Sequence, residues 1–416
     1  MFSKFTVNSA VFLGLTAFTV GAALYFRNPL LVYTAIFMVT ANLFLYVWAQ
    51  YSVWGLEIER FSPHLAIATK PCTVRLALTN NRRASRYAIL GFDLHRGLAR
   101  RSSYTPVAYL EAPPGTPMEA SYELTPPKRG IFVLGPFYLY GGDPFGFYKC
   151  WRKVDLPSEM TVLPCPVDFT YRNPASVSNL AQDELETVSV AGASTEFLGV
   201  REYMQGEPLR HVHWPSTARM GQLISRQYEQ NVAASISTLL LAEDVLLEGT
   251  ETENPLEYSL SMIASIGSMT SAERFQLSHL GIEGEHQESH TGTGRQSYQE
   301  LAVKLARTGS AEHSMLDVLN RRILDYLPPG SRLIVFAADG GPELYARLEP
   351  LKISYRGVTL VTFDQRSFSR RLVPEQPGPL VSYSSGLLIY KVFFRDNLSN
   401  ILTKVFAQGA VRGGRA

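Results

Sequence analysis

Arg201, Arg210, Arg219 and Arg226, together with Glu202, interleave with Phe197, Tyr203, Trp214 and Tyr228. Planar guanidinium forks pair bidentately with carboxylates, and Glu202, Glu207 and Glu229 stand within the same stretch. Two arrangements follow. A buried ion-pair network would lock a β region onto a neighbouring α/β domain, a use that suits arginine forks. An exposed face of arginines and Trp214 would instead present hot-spot residue types to a protein partner or an anion. Different residues of the stretch can serve both.

Catalytic arrangements are less well supplied. His211 and His213 diverge if their segment is helical, and no third ligand stands at metal-binding spacing. Ser216 lies near His213 in sequence, but no G-x-S-x-G elbow presents it. Thr291-Gly292-Thr293-Gly294-Arg295 lacks the GK[ST] ending of a phosphate loop. Asp143-Pro144-Phe145-Gly146 is turn chemistry with an aromatic plug. No complete nucleophile, metal or cofactor constellation is visible, so the expectation is a non-enzymatic protein without a cofactor.

The elements that position these residues can be read from local pattern. Gly206-Glu207-Pro208 reads as a turn opening a short helix, which Pro215 would end. Gln222 to Tyr228 alternates like a strand. Upstream, Val74, Leu76 and Leu78 alternate with Arg75, Ala77 and Thr79 before an Asn80-Asn81 turn. Apolar runs at 88–94, 130–140 and 160–163 continue the strand signal. Pro106, Pro113, Pro114, Pro117, Pro126 and Pro127 exclude long helices between them. A small antiparallel sandwich over 57–170 is expected, followed by a polar linker over 171–195. From 196 to 385 the pattern changes. Apolar runs at 236–242, 332–337 and 358–363 read as buried strands, and helix-compatible segments separate them, which implies a parallel sheet with helices on both faces. The last part, 386–416, reads as a helix over 387–406 with Lys391, Arg395 and Lys404 on its polar side, then a tail.

The N-terminus carries the clearest physical signal. Phe5 to Phe26 and Leu30 to Gly55 contain no charge apart from Arg27 between them. Each exceeds the roughly 20 residues that cross a hydrocarbon core as a helix. A transmembrane hairpin over 1–56 is expected, with helices near 6–26 and 30–54 and an aromatic belt of Tyr46, Trp48, Tyr51 and Trp54. Lys4, Arg60 and Lys70 on one side against Arg27 on the other favour cytoplasmic termini at a cell (inner) membrane. The three cysteines, Cys72, Cys150 and Cys165, form no disulfide framework. A net charge of +2 over 416 residues gives no basic field for nucleic acid.

Two longer stretches carry a resemblance: KRGIFVLGPFYLYGGDPFGFYKCW, 128–151, and EFLGVREYMQGEPLRHVHWPSTARMGQLISRQYE, 196–229. Together they resemble the bacterial and archaeal family known as domain of unknown function 58, over essentially the whole chain. The resemblance implies two N-terminal spans, a β-rich region, the arginine-rich signature and a degenerate von Willebrand factor A-like (Rossmann-type) region. It implies as signature positions Arg201, Glu202, Tyr203, Gly206, Glu207, Arg210, His213, Trp214, Ala218, Arg219 and Arg226. It also implies a context: assembly or maturation of protein complexes with a MoxR-type AAA+ ATPase. The chain departs from the pattern at Glu207, where the family has Asp, and at Pro215, where it often has Lys. The D-x-S-x-S of a metal-binding von Willebrand A domain is replaced by LLLAEDVLLEG. Asp244 and Asp339 remain as partial metal candidates, short of the oxygen set a Mg²⁺ ion needs. A divalent-metal-dependent module and a structural envelope protein are the alternatives.

Overall fold

The computed structural model describes residues 2–5, 7–98, 103–171, 197–202, 212–228, 235–242, 244–283, 286–309, 326–338, 341–371, 380–384 and 387–408. The chain divides into two compact units, Met1–Cys165 with Ala302–Thr308, and Pro166–Leu301 with Gly309–Ala416.

The first unit opens with strand β1 (Phe2–Phe5) and helices α1 (Val7–Phe26) and α2 (Pro29–Ser52). Both helices are long and apolar enough to cross a membrane. Asn28 caps α2 by accepting from the Leu30 amide at 2.9 Å, and Pro29 occupies the first turn, where its missing N–H is harmless. Most apolar side chains of the pair face outward, Phe18, Leu24, Leu30 and Phe37 among them. What faces inward includes a polar bridge. Asn42 donates to the Thr16 hydroxyl at 2.6 Å, joining the helices near mid-length.

Ten further strands follow: β2 (Leu56–Phe61), β3 (Leu65–Ile67), β4 (Cys72–Asn80), β5 (Arg86–Leu94), β6 (Tyr104–Ala112), β7 (Met118–Leu124), β8 (Gly130–Leu134), β9 (Phe137–Gly142), β10 (Tyr148–Val154) and β11 (Ser158–Leu163). They form sheets ordered β1-β10-β9-β5-β6, β2-β4-β7 and β3-β11-β8. Leu56, Ile58, Leu76 and Leu78 meet Ile89, Val107, Phe137 and Leu139 in one core. Val74, Leu124, Leu134, Met160 and Val162 form a second. Gly91 makes the first core close. A Cβ there would lie 2.3 Å from the Phe137 ring. The proline-punctuated stretch contains β6 and β7. Pro106 pairs with Phe92 on the sheet's edge strand, where an absent N–H costs no ladder bond.

The second unit contains β12 (Phe197–Glu202), α3 (Trp214–Met220), β13 (Ile224–Tyr228), β14 (Ser235–Leu241), α4 (Pro255–Glu273), β15 (Gln276–Glu283), β16 (His286–Gly292), α5 (Gly294–Arg307), β17 (Arg332–Phe336), α6 (Pro342–Leu348), β18 (Gly357–Phe363), α7 (Gln365–Arg370), β19 (Leu380–Ser384), β20 (Leu387–Val392) and α8 (Leu398–Gln408). The last residues of α5 group with the first unit. The main sheet runs β16-β15-β14-β17-β18-β20-β19. Its central strands β15, β14, β17, β18 and β20 are parallel, and β16 and β19 are antiparallel edges. The buried runs of β14, β17 and β18 match strands covered on both faces.

Two local expectations are corrected. The helix expected over 387–406 begins only at Leu398. Leu387–Val392 is instead a strand, paired in parallel with β18. Its Leu-Leu-Ile-Tyr-Lys-Val composition suits a sheet, and Arg395, with φ 63°, turns the chain before the helix. Pro215 begins a helix rather than ending one, since it stands in the first turn of α3. The turn expected at 206–208 lies outside the described residues.

Candidate functional site

The signature builds a small β-hairpin-like sheet with a one-helix flap. Strands β12 and β13 pair antiparallel, with Arg201 opposite Ser225, Glu202 opposite Ile224 and Val200 opposite Arg226. Helix α3 is tied to β13 at its N-cap and at its middle. The His213 amide donates to the Ile224 carbonyl at 2.7 Å, and the Ile224 amide donates to the Thr217 hydroxyl at 3.1 Å. Val212 and Ile224 are buried, anchoring the flap. Gly221, with φ 72°, closes α3 in the left-handed conformation that glycine adopts most readily.

This anchoring leaves the outer side of α3 exposed. Trp214, Met220 and Leu223 are large apolar side chains at 61%, 62% and 43% exposure. Ala218 and Arg219 are exposed beside them. His213 Nδ1 and the Ser216 hydroxyl lie 2.7 Å apart, three residues apart at the opening of the helix. That spacing makes them a local helix-start pair. Of the other signature positions, the backbones of Arg201, Glu202 and Arg226 are described, whereas their side chains are not. Tyr203, Gly206, Glu207 and Arg210 lie outside the described residues. The ion-pair network expected of the arginines therefore falls there too.

The metal candidates occupy one place in the topology. Strand β14 leaves the sheet at Leu241, and Asp244 opens the short 3₁₀ turn after it. The neighbouring strand β17 runs parallel, and the described chain continues from it to Ala338, one residue before Asp339. The chain proceeds from β14 to β15 on one side and to β17 on the other, so this is a topological switch point, where open α/β sheets bind ligands. Asp339 and the Asp244 side chain are outside the described residues. Among the described residues no three His, Cys, Asp or Glu side chains gather as a metal site.

A third feature lies in the first unit and was not anticipated from sequence. A cavity of about 910 Å³ opens between the last turns of α2 and strands β5, β9 and β10. Trp48, Tyr51, Leu90, Phe92, Tyr140 and Tyr148 give it an aromatic and apolar wall, and Arg86, Asp143 and Lys149 give it charge. Helix α2 reaches the sheet closely because Gly141 has no side chain. A Cβ there would stand 2.3 Å from the Ser52 hydroxyl. Arg86 is 4% exposed and stacks its guanidinium 3.7 Å from the Tyr51 ring centroid. Its Nη1 donates to the Ala84 carbonyl at 3.0 Å, while Nε and Nη2 have no partner among the described residues. Arg82 stacks in the same way over Trp54 at 3.9 Å.

The Asp143 turn forms the cavity's rim. Its carboxylate accepts from the Phe145 amide at 2.9 Å and the Tyr148 amide at 2.5 Å, so turn chemistry consumes the acid. Tyr148 donates to the Asn42 side chain at 2.7 Å, and Phe147 stacks on Phe12 at 4.7 Å. Burial, then the neighbouring Asp143 charge, pushes the Tyr148 phenol upward and keeps it a neutral donor. Phe145 is left 73% exposed at the tip. The signal available in sequence was the aromatic belt ending α2 together with the Gly-Gly-Asp-Pro-Phe-Gly-Phe-Tyr run. Nothing local to either run points to Arg86.

No family model and no curated protein matches the chain. Among solved structures, it is similar to a CARDB domain from Pyrococcus furiosus, at 12% identity over 26% of this chain and 94% of that one, TM-score 0.20. A PKD domain of an M14-like peptidase from a Thermoplasmatales archaeon is similar at 14% identity over 25% of this chain and 91% of that one, TM-score 0.17. Red sea bream transglutaminase is similar at 14% identity over 26% of this chain and 14% of that one, TM-score 0.20. Likeness at this level carries nothing about function.

Proposed function

We propose that the chain is a membrane-anchored, non-enzymatic scaffold that presents its second unit to a protein partner, a MoxR-type AAA+ ATPase, during assembly or maturation of other complexes. The observation that carries the reading is the outer side of α3. Trp214, Arg219 and Met220 on the helix and Leu223 just after it are exposed, while the helix is fastened to β13 through His213 and Thr217. Tryptophan and arginine at such a patch are the residue types that dominate protein interfaces. The resemblance of residues 196–229 to the domain of unknown function 58 supplies the partner class and the von Willebrand A-like reading of the parallel sheet. The paired apolar helices support an inner-membrane anchor, with the bulk of the chain on the cytoplasmic side.

Affinity capture of the full chain from gentle detergent extracts tests the reading. The expected result is stoichiometric recovery of an AAA+ ATPase, reduced about tenfold or more by Trp214→Ala. Recovery of no such ATPase overturns it. A reporter fused after Ala416 that is active only outside the cytoplasm overturns the orientation alone.

The divalent-metal reading has one observation in its favour, the position of Asp244 after β14 at the sheet's switch point. Metal analysis of the purified chain decides it, because a tightly held divalent ion would replace the scaffold reading with a metal-dependent one.

A further inference from the structure

We propose that the turn between β9 and β10, residues 143–147, is a third bilayer-contacting element, whose tip enters the acyl chains of the leaflet beside the open ends of α1 and α2. The inference rests on the reading of α1 and α2 as a bilayer-spanning hairpin, and deepens that part of the proposed function only. The β-rich unit is then docked on the lipid as well as tethered to it.

Depth comes first. Helix α1 has 20 residues, a rise of about 30 Å, which is the thickness of a hydrocarbon core. Its last residue, Phe26, precedes Arg27 at one boundary, so Val7 marks the other. Phe12, a turn and a half further in, is about 7–8 Å inside that boundary. Phe147 stacks on its ring at 4.7 Å, and the Phe145 ring is 6.4 Å from Phe147. This is the depth at which amphipathic elements rest between headgroups and chains. Helix α2 gives the same answer. About 20 residues from Pro29 end at Trp48, and Gly141 packs on Ser52, just outside. From there β9 and β10 climb along the helix. Tyr148, two residues from Gly141's partner Cys150, packs with Leu45 and Ala49, and its phenol reaches on to Asn42. Lys149, opposite Gly142, is one step from the Ser52 level and stays among the headgroups. The turn beyond Tyr148 passes the boundary.

Chemistry comes second. Backbone polar groups taken below the headgroups must be satisfied internally. The Asp143 amide donates to the Tyr148 carbonyl at 3.2 Å, and the Gly146 amide donates to the Asp143 carbonyl at 3.1 Å. The Phe145 and Tyr148 amides donate to the Asp143 carboxylate, and Pro144 has no N–H to satisfy. Asp143 is the one charged residue of the turn, and it is buried at the base, beside Tyr148. What the tip presents outward is Pro144 and Phe145, both exposed. Continuity comes third. Phe18 and Leu24 face outward on α1, so lipid already covers that helix, and the same layer extends along it to the turn that Phe12 holds.

The test uses the full chain in vesicles of phosphatidylethanolamine and phosphatidylglycerol, with Cys72, Cys150 and Cys165 replaced by alanine and a single new cysteine carrying a nitroxide. Collisions with oxygen, which concentrates among acyl chains, are compared with collisions with a water-soluble nickel chelate. The labelled positions are Phe145→Cys, Phe18→Cys on the outward side of α1, and Asp155→Cys, an exposed site just past the far end of β10. Oxygen collisions should exceed nickel collisions several-fold at 18 and, by a smaller margin, at 145, with the reverse at 155. Nickel-dominated collisions at 145 overturn the proposal, and leave the hairpin standing if 18 remains in lipid. A 145 label shielded from both reagents also overturns it, because protein rather than lipid then covers the tip. Nickel-dominated collisions at 18 sink the spanning reading separately, while the 145 label still decides the turn. If the cysteine-free chain does not fold, Phe145→Trp in the natural chain reads the same depth. Its added emission, relative to Phe145→Tyr, should be lost in vesicles of acyl-brominated phosphatidylcholine, and unchanged emission overturns the proposal.

Discussion

The two units bury polarity in different ways. In the β-rich unit, the Arg60 and Asp93 side chains form an ion pair at 1% and 0% exposure. Arg60 Nε donates to Asp93 at 3.0 Å, the Tyr122 hydroxyl donates to the same carboxylate at 2.7 Å, and Arg60 also reaches the Leu156 carbonyl. In the α/β unit, the described buried polar groups within the sheet are mostly hydroxyls and imidazoles. Ser237 meets Ser331 at 2.6 Å, and Thr238 meets His279 Nδ1 at 2.9 Å. The difference follows from architecture. Arg60 is on β2, Asp93 on β5 and Tyr122 on β7, so the charged cluster ties two small sheets that share no ladder. A continuous parallel sheet already has backbone bonds between every strand, and small hydroxyls can be accommodated without setting register.

The largest test of that contrast is Asp93→Ala. It leaves Arg60 charged and buried and should cost about 3–5 kcal/mol, read by calorimetry of the detergent-solubilised chain. Replacing both partners, as Arg60→Met with Asp93→Leu, should recover much of the loss, because a well-packed apolar pair can match a buried ion pair. A cost for Asp93→Ala below about 1 kcal/mol would place the pair with surface bridges and erase the contrast. Gly141→Ala comes next. Its methyl meets Ser52 and Val53 where α2 touches the sheet, so about 1–3 kcal/mol of destabilisation is expected on the same instrument. In the α/β unit Ser237→Ala should cost only about 1 kcal/mol, because Ser331 keeps its bond to the Pro328 carbonyl. A loss equal to that of Asp93→Ala would show that the second unit depends on directional polarity as much as the first.

What could be read from sequence was local. The alternation of Val74, Leu76 and Leu78 is β4, and the uncharged runs flanking Arg27 are α1 and α2. Strand β6 was hidden because Pro106 reads as a breaker, and only its edge position makes it tolerable. The helix read over 387–406 came from the spacing of Lys391, Arg395 and Lys404. Lys391 in fact lies on a strand, paired to Asp364 at 2.9 Å. Exposed Trp214 and Arg219 were legible by type and motif. The cavity was not, because Tyr51, Arg86 and Asp143 are brought together only by strand order and by the packing of α2 against those strands. The buried pair was equally silent: Arg60 was read as a topogenic surface charge, and Asp93 stood unnoticed inside an apolar run.

The smallest expected effect is a pH dependence beside the charged cluster. His95 is 1% exposed, with Nε2 2.7 Å from the Thr105 hydroxyl. Burial lowers its pKa below the ordinary 6.5, and the Arg60 charge adds to this against its backbone contact and the Asp93 field. The unfolded chain, with its imidazole in water, therefore takes up a proton at higher pH than the folded chain does. Stability from this group is complete above 6.5, falls as pH drops from there toward the folded value, and is level again below it. The slope cannot exceed about 1.4 kcal/mol per pH unit, one proton's worth. Denaturant unfolding followed between about pH 7.5 and 5.5 should show the decline, and His95→Gln should flatten it while costing a constant amount for the altered Thr105 contact. A slope unchanged in His95→Gln would move the pH sensitivity to another group. The β-rich unit would then differ from the α/β unit through its ion pair alone.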